Sequence, residues 1–157
     1  MINGENNKNK VEKLLWSIAL PGFGQILNGK YLKGVLFIAL EILVNVQANF
    51  NLAIIYSFHG EIKQAIEVTN YQWLMFYPCL YMFAIWDAYK DSGGGKSPFS
   101  FIPIVFAAYF ITVGLIYSST FKIFGVLMGP IWLPIIFLGI GLCVGLVIRV
   151  FLINIFE

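Results

Sequence analysis

The chain has 157 residues, 59% of them hydrophobic and 11% charged, with a mean hydropathy of +0.81. An ordinary soluble domain is about 45–50% apolar and about 25% charged, so this composition excludes that class and predicts an all-α integral membrane protein. Ten basic against eight acidic residues leave a net charge of +2, too small for a field that would gather nucleic acid.

Residues 1–10 are polar and read as a flexible cytoplasmic N-terminus. Within residues 11–27, Val11, Leu14, Leu15, Ile18 and Ala19 recur at i, i+3, i+4, i+7 and i+8, the pattern of an amphipathic helix. Leu14–Trp16 is too short an apolar core for a signal peptide, so the N-terminus is expected to be kept. Pro21-Gly22 and Gly24 interrupt the segment, which either lies in the headgroup plane or re-enters part-way. Asn28-Gly29 then turns the chain.

Four apolar segments follow, at Gly34–Ser57, Tyr71–Tyr89, Phe99–Tyr117 and Ile131–Ile153, each long enough to cross about 30 Å of hydrocarbon as helix. Positive charge arbitrates the ambiguous first segment. If 11–27 crosses, the ten basic residues divide evenly; if it does not, Lys8, Lys10, Lys13, Lys30, Lys33, Lys90, Lys96 and Arg149 lie inside and Lys63 and Lys122 outside. The second division fits the positive-inside rule and puts both termini in the cytoplasm. Trp16 and Trp86 then fall at the inner surface and Trp73 and Trp132 at the outer. The expected architecture is four transmembrane helices preceded by an amphipathic or re-entrant helix, with a helix pair at 34–89 and a second hairpin at 99–153.

The run Pro21-Gly22-Phe23-Gly24-Gln25, then Asn28-Gly29-Lys30-Tyr31, Lys33-Gly34 and later Trp86-Asp87-Ala88-Tyr89, resembles small bacterial membrane proteins related to the two-transmembrane-segment domain family. The resemblance covers residues 14–90 and implies a multi-pass protein of a bacterial plasma membrane, with Asp87 as its characteristic acidic residue. The polar loop Phe58–Asn70 departs from that family's usual form.

Polar groups inside apolar helices need partners. Glu41, Asn45 and Asn49 recur at i, i+4 and i+8, with Gln47 and Asn51 on the opposite side. The stripe is either an ion or proton path, or interhelical hydrogen bonding. Arg149 sits at matching depth and is a candidate counter-charge for Glu41; its alternative is to snorkel to the inner headgroups. Asp87 has Lys90, Lys30 and Lys33 as candidate partners. Gly141 and Gly145 make a small-xxx-small face that either seats the last helix against its neighbours or dimerises the chain, whereas Gly125 and Gly129 are expected in turns. Ile62 and Ile66 predict a short surface helix in the loop 61–70.

Gly93–Ser97 lacks the first glycine of a phosphate loop and reads as a cytoplasmic linker. His59 has no companion His or Cys at metal-binding spacing, and no nucleophile arrangement emerges, so no enzyme, cofactor or metal is expected. Two functions remain: an accessory, assembly or regulatory partner of a membrane complex, working through another membrane protein or self-association; or a small transporter or channel subunit along Glu41, Asn45 and Asn49.

Overall fold

The computed structural model describes Ile2–Phe156, with side chains described from Asn9 onward. It is almost entirely helical. The first helix, α1 (Ile2–Ala19), begins well before residue 11, so helical backbone takes in residues expected as a flexible N-terminus. Pro21-Gly22 ends it, and a short α2 (Phe23–Leu27) follows, so 11–27 is a helix, a break and a second helix. Gly22, at φ 104°, occupies the left-handed region that favours glycine.

The first apolar segment is not one helix. It divides into α3 (Tyr31–Ala48) and α4 (Phe50–Phe58) at Asn49, whose φ of 54° is left-handed. Asparagine tolerates that conformation better than most residues. The groups freed at the break find partners in the following loop. Asn70 N–H donates to the Ala48 carbonyl at 3.0 Å, and Asn49 Nδ2 donates to the Val68 carbonyl at 3.0 Å. The expected surface helix is present there as α5 (Ile62–Val68).

The second segment is also interrupted, into a one-turn α6 (Tyr71–Leu74) and α7 (Tyr77–Asp91). Pro78, the second residue of α7, has no N–H to give the carbonyl of Leu74, which favours restarting the helix there. The third segment forms α8 (Ile102–Tyr117) and the fourth forms α9 (Gly129–Phe156). Of these helices, α3 and α9 are long and apolar enough to cross a membrane, while α8 is apolar but shorter. Two such helices therefore stand where four were expected, because the break at Met75-Phe76 leaves α7 with 15 residues and the third segment becomes helical only from Ile102, leaving α8 with 16.

Between α8 and α9 the chain makes a β-hairpin that was not expected, with β1 (Lys122–Ile123) antiparallel to β2 (Val126–Leu127). Its turn residues, Phe124 and Gly125, both have positive φ, 50° and 83°, as a two-residue hairpin with the twist of its strands requires.

Glycine sets how closely the last two helices approach. A Cβ at Gly145 would stand 2.6 Å from Pro103 Cα, and one at Gly141 2.7 Å from the Phe106 carbonyl oxygen. At Gly139, on another side of α9, a Cβ would meet nothing within 4 Å. The Gly141–Gly145 face thus seats α9 against α8 within one chain. The rest of the core is small clusters of the same kind: Ala48, Leu74 and Leu115 toward one end, and Met82, Ile85 and Ala107 toward the other.

Candidate functional site

The most developed polar cluster lies where α2 and the start of α3 meet the C-terminal half of α7. Ala84, Asp87, Ala88 and Asp91 fall at i, i+3, i+4 and i+7 and share one face of α7. The alanines leave room on that face, and the carboxylates reach across from it. Fully buried Gln25 spends both amide hydrogens there: Nε2 donates to the Ala84 carbonyl at 2.8 Å and to Asp87 Oδ2 at 3.2 Å. One turn later Asn28 Nδ2 donates to the Ala88 carbonyl at 2.8 Å. From α3, Lys33 Nζ bridges Asp87 Oδ1 at 2.7 Å and Asp91 Oδ2 at 3.0 Å.

Close backbone approach makes these reaches possible. A Cβ at Gly24 would lie 2.7 Å from the Lys13 carbonyl oxygen and 2.8 Å from Ala88 Cβ; one at Gly22 would lie 2.5 Å from the Gly34 carbonyl oxygen. Pro21 is buried in the same place, while Gly29, at φ 73°, turns the exposed chain toward α3. Tyr81 adds a link by donating its hydroxyl to the Ile18 carbonyl at the end of α1. The motif Pro21, Gly22, Gly24, Gln25, Asn28 and Gly29 and the distant Asp87 are therefore parts of one clasp. Lys33 is the partner realised among the three candidates for Asp87. Asp91 was not anticipated, although its place one turn beyond Asp87 was a signal for it.

The clasp leaves two buried acceptors, Gln25 Oε1 and Asn28 Oδ1, without a hydrogen-bond partner among the described residues. The ion pair itself is open to solvent on the lysine side, where the Lys33 side chain is 46% exposed. Its contribution is therefore on the scale of surface pairs, about 0–1 kcal/mol, and buried Gln25 carries more of the attachment.

The Glu41 stripe is dispersed. Glu41 is buried and accepts a hydrogen bond from the Tyr77 hydroxyl at 3.1 Å. Asn45 Nδ2 donates to Asn51 Oδ1 at 3.2 Å, and Asn49 is committed to the Val68 carbonyl. Arg149 does not meet Glu41; its Nε donates to the Pro98 carbonyl at 3.2 Å, tying α9 to the linker before α8. Matching depth along two helices fixes one coordinate, and these side chains differ in the direction they face.

Tyr77 and Tyr81 stack with ring centroids 5.4 Å apart and border an apolar cavity of about 370 Å³. Ile111, Ile131 and Pro134 line its other walls. Such a space suits an apolar chain and presents no charged group. Comparison with protein-family models, curated proteins and solved structures finds no match for this chain.

Proposed function

We propose that this chain is a four-pass protein of a bacterial plasma membrane, related to the two-transmembrane-segment domain family, that serves as a non-enzymatic accessory, assembly or regulatory partner of a membrane complex. α3 with α4, α6 with α7, α8 and α9 make the four crossings. α1 and α2 lie against them at the inner surface, and both termini are cytoplasmic.

The apolar surface supports the membrane part of this reading. Only 11% of the most apolar stretch of α9 and 28% of that of α3 is buried, the reverse of a helix at the core of a soluble protein. α1 follows the same logic: Val11, Leu15 and Ile18 of its apolar stripe point away from the protein, whereas the small polar Ser17 is fully buried against it. An interfacial helix presents such a stripe to lipid.

One observation carries the accessory part. At the clasp, the amide donors of Gln25 and Asn28, the Lys33 ammonium and the Asp87 carboxylate are engaged with one another and with the α7 backbone, which favours helix surfaces as the means of action. The transporter alternative draws less support, since Glu41, Asn45 and Asn49 turn to three separate partners. Purification of the tagged chain from membranes in mild detergent tests the choice. A stoichiometric membrane-protein partner, with no solute flux by the chain alone in vesicles, is expected; flux by the purified chain would overturn the accessory reading.

A further inference from the structure

Two phenylalanines hold the left-handed backbone conformation that bulky residues avoid, Phe99 at φ 54° and Phe124 at φ 50°. Phe99 has an evident return, because its ring packs on Phe156 with centroids 5.9 Å apart. Phe124 takes its φ from the two-residue turn that closes the β1–β2 hairpin, but its ring has no partner among the described residues and is 102% exposed at the tip. Phe121 and Val126 beside it are also largely exposed, and Lys122 stands between them.

The hairpin is also closely tethered to the helices on either side. Four residues separate α8 from β1, and a single residue separates β2 from α9. Strands of two residues rise about 7 Å, which matches the roughly 5–7 Å of headgroup layer on each side of the hydrocarbon core. An aromatic tip held at that height, beside a cation that suits lipid phosphate, has the composition of an interfacial anchor.

From this we infer that the hairpin Lys122–Leu127 is a lipid-surface anchor, with the Phe124 ring seated among the headgroups of the outer leaflet. The inference rests on the membrane reading above. It fixes the loop between α8 and α9 to the bilayer, so that the outer end of the C-terminal helix pair is held at a set depth.

Nitroxide labels at Phe124→Cys, Val147→Cys and Ser97→Cys, each in a Cys79→Ala, Cys143→Ala background, test it in phosphatidylcholine–phosphatidylglycerol nanodiscs. Collisions with oxygen report lipid, and collisions with a water-soluble nickel chelate report water. The label at position 124 is expected to collide with nickel several-fold less than the one at position 97, with an oxygen-to-nickel ratio between those of positions 97 and 147. Nickel accessibility at 124 equal to that at 97, with 147 still in lipid, would overturn the anchor and leave the membrane reading standing. Water-like behaviour at 147 would overturn both. A label at Val126→Cys reads the same surface should the Phe124→Cys substitution disturb the turn, with the same expected and contradicting results.

Discussion

Tyr77 donates its hydroxyl to Glu41 at 3.1 Å, so the buried carboxylate of α3 is held by α7 and not by Arg149. Tyr77→Phe removes the one side-chain hydrogen bond that Glu41 receives among the described residues and should lower stability in detergent by about 1–3 kcal/mol. Glu41→Gln keeps a group able to accept from Tyr77 and removes a charge from an apolar setting, so its thermal midpoint is expected to equal or exceed the wild-type value. A double-mutant cycle of Tyr77→Phe with Glu41→Leu, which removes the acceptor, should show coupling above about 0.5 kcal/mol, while one of Glu41→Leu with Arg149→Gln should be additive within that margin.

The clasp between α2 and α7 separates a buried amide from an exposed ion pair. Gln25→Ala should destabilise by about 1–3 kcal/mol, because it removes two hydrogen bonds and empties a buried site. Lys33→Met should cost about 0–1 kcal/mol. Thermal melts at low and high salt distinguish the two contributions: the loss at Lys33 should shrink as salt rises, whereas the loss at Gln25 should persist. A loss at Lys33 as large as that at Gln25, and shrinking as salt rises, would show that the ion pair dominates.

Glycine packing makes a positional forecast along one helix. Gly141→Leu and Gly145→Leu drive side chains into the backbone of α8 and should each cost at least about 1–3 kcal/mol in thermal unfolding. Gly139→Leu projects into open space and should be near neutral or slightly stabilising, since leucine favours helix by roughly 0.8 kcal/mol over glycine.

These sites also show how far the amino-acid order was readable. Apolar length and periodicity mark where helices lie, and spacing marks the Gly141–Gly145 contact, because both are properties of a single helix. The clasp was half visible: the motif and Asp87 each stood out, yet only the fold brings Gln25 within reach of a helix 59 residues away. Pairing Glu41 with Arg149 failed because depth does not determine azimuth. The breaks at Asn49 and before Pro78 were hidden by hydropathy, which averages over many residues while a break needs one residue's φ or one missing N–H. The hairpin at Lys122–Leu127 was hidden for a related reason, as Phe124-Gly125 replaces the Asn-Gly that usually marks such a turn.

The placement of the chain in the membrane is tested most directly by thiol accessibility in intact cells. Single cysteines at the exposed positions Asn9, Gln64 and Ser97, with Cys79 and Cys143 replaced by alanine, are treated with an impermeant reagent before and after permeabilisation. Gln64→Cys is expected to react in intact cells, and Asn9→Cys and Ser97→Cys only after permeabilisation. Reaction of Asn9→Cys together with Gln64→Cys would show that α1–α2 crosses the bilayer, and equal reaction of all three in intact cells would contradict the four-pass arrangement.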